Sequence, residues 1–135
     1  MNETGKFARG SGGFGWLKKM ARYSHLPIFQ KSYELLKWIY SSVLQFPKAE
    51  KYALGQKIKL AVMDFLDQII RANGARKKLP HLEEASQLLE ILRIHIRLAY
   101  DLSLINLKRY ELLSGKINEI GRMLGGWRKH NGNNV

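Results

Sequence analysis

Four stretches of this chain repeat apolar residues every three or four positions, the period of an α-helix with one buried face. The first, residues 31–46, sets Leu36, Ile39, Tyr40 and Val43 on one side, and Pro47 breaks it. The second, residues 49–72, aligns Leu54, Ile58, Ala61, Val62, Phe65 and Ile69 and stops at Asn73-Gly74. A basic loop, Arg76-Lys77-Lys78, leads to Pro80 and the third stretch, residues 81–103. This one carries two apolar seams: Leu82, Ala85, Leu89, Leu92, Ile96 and Ala99, and beside them Leu88, Ile91, Leu98 and Leu102. One seam can face the core while the other faces something else. The fourth, residues 106–129, repeats through Tyr110, Leu113, Ile117, Ile120, Leu124 and Trp127. Helices of similar length with short connections predict an all-α, antiparallel up-down four-helix bundle over residues 27–130.

At 135 residues with 45% hydrophobic content, the chain suits one domain with one packed core. Its longest uninterrupted apolar run, residues 60–63, falls far short of the ~18 residues a membrane span needs, so a soluble protein is expected. There are no cysteines, which excludes disulfides and thiolate metal sites and agrees with a cytoplasmic setting. No apolar segment of the signal-peptide kind follows Met1.

Residues 1–26 read as a flexible, glycine-rich basic arm: Lys6, Arg9, Lys18, Lys19 and Arg22 stand against one acid, Glu3. The alternative is an extension without function. Gly10-Ser11-Gly12-Gly13-Phe14-Gly15 matches G-x-G-x-x-G in letters, but no strand precedes it and no βαβ pattern surrounds it. Residues 131–135 form a polar tail expected to be disordered. The whole chain has a net charge of +12, and residues 31–135 alone hold eighteen basic and ten acidic side chains, net +8. Asp67 with Arg71 and Arg97 with Asp101 have the i,i+4 spacing of ion pairs. The candidates for contacting nucleic acid are Lys18, Lys19 and Arg22 in the arm, Arg76, Lys77 and Lys78 in the loop, and Lys108, Arg109, Arg128 and Lys129 at the ends of the fourth helix. Arg128 and Lys129 also complement the helix dipole, a purely structural reason for their presence.

Ser114, Asn118, Gly121 and Gly125 recur at 4,3,4 spacing and line up as a strip of small residues. Each glycine inside a helix costs about 1 kcal/mol relative to alanine, so the strip needs a close neighbour. With Arg122 and Trp127 beside it, it is the candidate subunit interface of a homo-oligomer; closing the bundle within one chain is the other reading. No catalytic centre is expected. Asp64 and Asp67 share a helix face without a matching acid, base or metal ligand, and His25, His81, His95 and His130 lack any ligand spacing. His95 borders the second seam of the third helix, where it is either a packed core histidine or part of an interface. Serines 41, 42, 103 and 114 have no partner pattern, and there is no phosphate-binding loop. No cofactor, metal or small-molecule substrate is called for.

Two strings carry a family resemblance. Phe46-Pro47-Lys48 followed by Leu54-Gly55-Gln56 joins the first two helices, and Gly121-Arg122-Met123-Leu124-Gly125-Gly126-Trp127 closes the fourth. Over residues 32–129 they resemble the four-helix-bundle superfamily that includes the accessory variability determinant (Avd) of diversity-generating retroelements and the proteins encoded in intervening sequences of bacterial 23S ribosomal RNA genes. The closing string is most similar to the retroelement branch. The intervening-sequence branch often ends its second helix in an N-I-A-E-G-like string, whereas this chain has Ile70-Arg71-Ala72-Asn73-Gly74. The resemblance implies a cytoplasmic protein of a bacterium, archaeon or phage that forms a basic homopentameric barrel. It implies further that the protein binds the retroelement's reverse transcriptase and supports mutagenic cDNA synthesis from a template RNA without doing chemistry itself. Arg122 lies within the matching string. A basic interaction protein of the intervening-sequence type, with no reverse transcriptase partner, is the alternative.

Overall fold

A computed structural model describes residues 23–132, so Lys18, Lys19 and Arg22 of the arm and residues 133–135 of the tail lie outside the described residues. Among the described residues lie four long helices and one single-turn helix: α1 (Pro27–Val43), α2 (Lys48–Lys51), α3 (Leu54–Gly74), α4 (Leu79–Asp101) and α5 (Leu107–Gly132). No strand occurs among the described residues. The chain is a helical bundle in which α1 packs on α3 and α5, α3 on α4, and α4 on α5.

The helix ends follow local chemistry. Pro27 and Pro80 sit in the first turns of α1 and α4, where a missing N–H costs nothing. The stretch expected to run unbroken over 49–72 is divided, with α2 and α3 separated at Tyr52 and Ala53. Gly55, in the first turn of α3, lies tight against α1: a Cβ there would be 2.6 Å from Val43 Cγ1 and 3.2 Å from the Glu50 carbonyl oxygen. Helix α4 ends at Asp101, ahead of the expected 103. The Leu104 N–H bonds the Ala99 carbonyl at 2.8 Å and the Ser103 N–H bonds that of Tyr100 at 2.9 Å. Ser103, with φ of 62°, occupies the left-handed position of this Schellman cap. Asn106 then caps α5 by accepting the Arg109 N–H at 2.8 Å, and α5 continues past the expected 129 to Gly132.

The core-facing stripes of α3, α4 and α5 coincide with the expected ones; in α5, Tyr110 and Trp127 at the two ends are half-buried. Helix α1 differs. Its buried face is Ile28, Ser32, Leu35, Ile39, Ser42 and Val43, while Leu36 is half-buried and Tyr40 exposed. Two serines sit on this face because each satisfies its own hydroxyl: Ser32 Oγ donates to the Ile28 carbonyl and Ser42 Oγ to that of Trp38, both at 2.7 Å. Hydropathy alone assigns such serines to solvent and rotates the predicted face. No helix among the described residues is long and apolar enough to cross a membrane.

Candidate nucleic-acid and subunit surfaces

The cations of the α3–α4 corner differ in their surroundings. Arg76 and Lys77 are exposed, with no ion pair among the described residues. Lys78 is half-buried, and its ammonium donates to the carbonyls of Ala72, Asn73 and Ala75 at 3.0, 3.0 and 2.9 Å. These are carbonyls at and just beyond the last turn of α3, so all three Lys78 donors are engaged where the helix dipole is negative.

At the other end of α4, Lys108 is exposed in the first turn of α5. Arg109, beside it, is held: its guanidinium lies 5.0 Å from the Trp38 ring centroid and donates to Ser42 Oγ at 2.7 Å. Lys116 approaches the same ring at 5.9 Å and donates to Glu34 at 2.9 Å. That hydrogen bond and the Lys116 charge hold the Glu34 carboxyl below the ordinary range. A cavity of about 680 Å³ opens here, lined by Trp38, Leu104, Lys108, Arg109 and Leu112. Arg128 of α5 reaches Glu83 of α4 at 2.6 Å, with its Nε buried and unpartnered. This places Arg128 and exposed Lys129 toward the start of α4, near Arg76 and Lys77, and a helix length away from Lys108 and Arg109. Arg97 pairs with Asp101 at 3.0 Å as spaced, whereas Asp67 and Arg71 form no ion pair among the described residues.

The small-residue strip lies along a groove of about 380 Å³ between α4 and α5. Its two glycines have different surroundings. Gly121 makes room for Arg93, whose Nη2 lies 2.9 Å from where a Cβ would be, while Nη1 donates to Asn118 and Nε to Glu90. A Cβ on Gly125 would meet nothing within 4 Å, so no part of the described chain uses that space. Arg122 is exposed beside it, Ser114 half-buried, and Trp127 packed against the core with its carbonyl accepting from Asn131 at 2.9 Å. Sequence reasoning passed over Arg93, whose meeting with Gly121 joins two helices and left no signal in the sequence.

Two exposed apolar faces complete the surface. Of the second seam of α4, Ile91, Leu98 and Leu102 face outward, with Ile94 joining them, while Leu88 is half-buried and packs against the core. His95 lies among them with a buried, unpartnered Nδ1; burial, then the Lys57 charge, push its pKa down. The other face, on α1, contains Tyr33, Tyr40 and Leu44, of which only Tyr40 stood out in the sequence, and there as core. Among the described residues no cluster of three or more histidine, aspartate or glutamate side chains could hold a metal ion.

Residues 26–131 match the family described as bAvd-like, which spans every described helix but for the last residue of α5. No curated protein matches the chain.

Proposed function

The chain belongs to the bAvd-like family, and on that premise we propose that it is a non-catalytic accessory subunit of a diversity-generating retroelement. It binds the element's reverse transcriptase together with template RNA and cDNA and supports mutagenic cDNA synthesis. The family match carries this reading, and the surface charge agrees with it. Arg76, Lys77, Lys108, Arg122 and Lys129 are exposed without an ion pair among the described residues, in a chain of net charge +12. Cations left uncompensated in this way bind phosphates through counterion release.

The proposed architecture is an antiparallel up-down bundle assembled into a homopentameric barrel. The order of contacts supports the first part: Lys31, Glu34 and Ser42 of α1 meet Glu119, Lys116 and Arg109 of α5, one series rising as the other falls. Glu83 and Arg93 of α4 meet Arg128 and Asn118 in the same sense. The second part rests on the family resemblance; the open space at Gly125 leaves room for a neighbouring helix and does not set the number of subunits. A ring repeats each cationic patch around its axis, so that weak single contacts add.

On this reading a reverse transcriptase is encoded nearby, and the test is co-purification with it, with mass from light scattering and template RNA added at two salt concentrations. One reverse transcriptase on a several-fold oligomer, holding RNA less tightly as salt rises, is the expected result. An oligomer that takes neither partner overturns the reading in favour of an interaction protein of the intervening-sequence type.

A further inference from the structure

The exposed face of α1 presents two tyrosines on one line. Tyr33 and Tyr40 are 50% and 45% exposed, seven residues apart, and therefore two helical turns or about 10 Å apart. With Leu36, Lys37, Ser41 and Leu44 they line a shallow groove of about 480 Å³. Both rings have neighbours. Tyr33 stacks on Phe29 at 6.1 Å, Phe29 is met edge-on by Tyr23 at 5.1 Å, and the Tyr40 hydroxyl contacts Met63 Sδ at 3.8 Å. Each ring also carries a cation: Lys37 Nζ lies 5.5 Å from the Tyr33 centroid and Lys59 Nζ 4.6 Å from that of Tyr40. Neither lysine forms a salt bridge among the described residues; Glu34, beside Tyr33, feels the Lys37 charge but is itself bonded to Lys116, and no acidic side chain lines the groove.

We propose that this face is a stacking track for single-stranded nucleic acid, in which bases lie on Tyr33 and Tyr40 while Lys37 and Lys59 turn from the rings to the phosphates. The proposal rests on the nucleic-acid part of the function proposed above and adds a site outside the basic clusters named there. Charge complementarity selects the occupant. A partner must be both anionic and rich in exposed π-faces, and an unpaired nucleotide chain supplies both in every residue. A duplex does not, because each of its bases is covered by neighbours about 3.4 Å away and offers no free face to a side chain. The Tyr33 ring, already stacked on Phe29, loses little freedom on binding, which favours stacking further. The lysine stems are flexible enough to exchange ring for phosphate without moving the helix.

The experiment uses the full chain, a fluorescein-labelled single-stranded RNA of about 20 nucleotides, longer than a typical single-strand site, and the same strand annealed to its complement. The double variant Tyr33→Leu/Tyr40→Leu keeps apolar area on an exposed face and removes the π-systems. Single-strand affinity should fall at least about 10-fold with the salt slope retained, and duplex affinity should change less than about two-fold. Tyr33→Phe/Tyr40→Phe should bind as the wild type does, and Lys37→Gln/Lys59→Gln should flatten the salt dependence. Unchanged single-strand affinity in the leucine variant, or an equal loss for duplex, overturns the track while leaving the proposed function standing. Loss of the reverse transcriptase with RNA affinity kept assigns the face to a protein and overturns it as well. A wild-type chain that binds neither RNA overturns both this inference and the nucleic-acid part of the function.

Discussion

Lys77 and Lys78 are adjacent in sequence and carry the same charge, yet the structure gives them different surroundings. Lys78 closes the end of α3 through three backbone carbonyls, so Lys78→Met should destabilise the fold by about 1–2 kcal/mol in a denaturant melt and leave RNA affinity nearly unchanged. Arg76→Glu/Lys77→Glu should do the reverse, weakening RNA binding with the melt unmoved, since neither side chain makes an ion pair among the described residues. His95 gives a prediction in pH. Burial first, and then Lys57, lower its pKa in the folded chain, so as pH falls the unfolded chain takes up the proton more readily. Its contribution to stability is complete above the unfolded value of about 6.5 and is lost as pH falls through the folded one. Melts at pH 8 and pH 5 should differ less in His95→Gln than in the wild type; an equal difference would assign the acid sensitivity elsewhere. None of these distinctions was legible in the sequence, because a lysine's role depends on which carbonyls come within reach of its amine and a histidine's on what covers it.

At the scale of elements, two glycines of the family strings separate. Gly55 is buried where α3 turns against α1, so Gly55→Ala drives a methyl into Val43 and the Glu50 carbonyl. The expected cost is about 1–3 kcal/mol, read as a lower Tm with helix content retained below the transition. Gly125 has open space, and Gly125→Ala should stabilise the isolated chain by up to about 1 kcal/mol through helix propensity. If the strip seats a neighbouring subunit, the same change lowers the sedimenting mass; an unchanged mass would remove Gly125 from the interface. Most of α3, α4 and α5 was legible because long stripes of branched apolar residues have one consistent face. The rotation of α1 was not, since Ser32 and Ser42 return their hydroxyls to their own helix and are buried without penalty.

At the scale of the whole molecule, a net charge of +12 would act in opposite directions on the proposed ring and on the proposed RNA binding. Basic subunits brought into a ring repel one another, and added salt screens the repulsion, whereas the same salt weakens phosphate binding by competing for the cations. Light scattering should therefore show oligomer mass rising from low to moderate salt as RNA affinity falls; a mass that falls with salt would show that ion pairs, not apolar contacts, join the subunits. By itself the sequence determined the all-α class, the number of long helices, three of the four core faces and the excess of positive charge. Each of these is set by residue type and by the period of a single helix. Only the tertiary structure decided which cations are committed to the fold, as Lys78 and Arg109 are, and which stay free. It alone put Arg93 into the notch at Gly121 and set Tyr33 and Tyr40 beside Lys37 and Lys59 on an outer face. Those relations join residues on different helices or depend on how a helix is rotated, and rotation is settled by packing against neighbours.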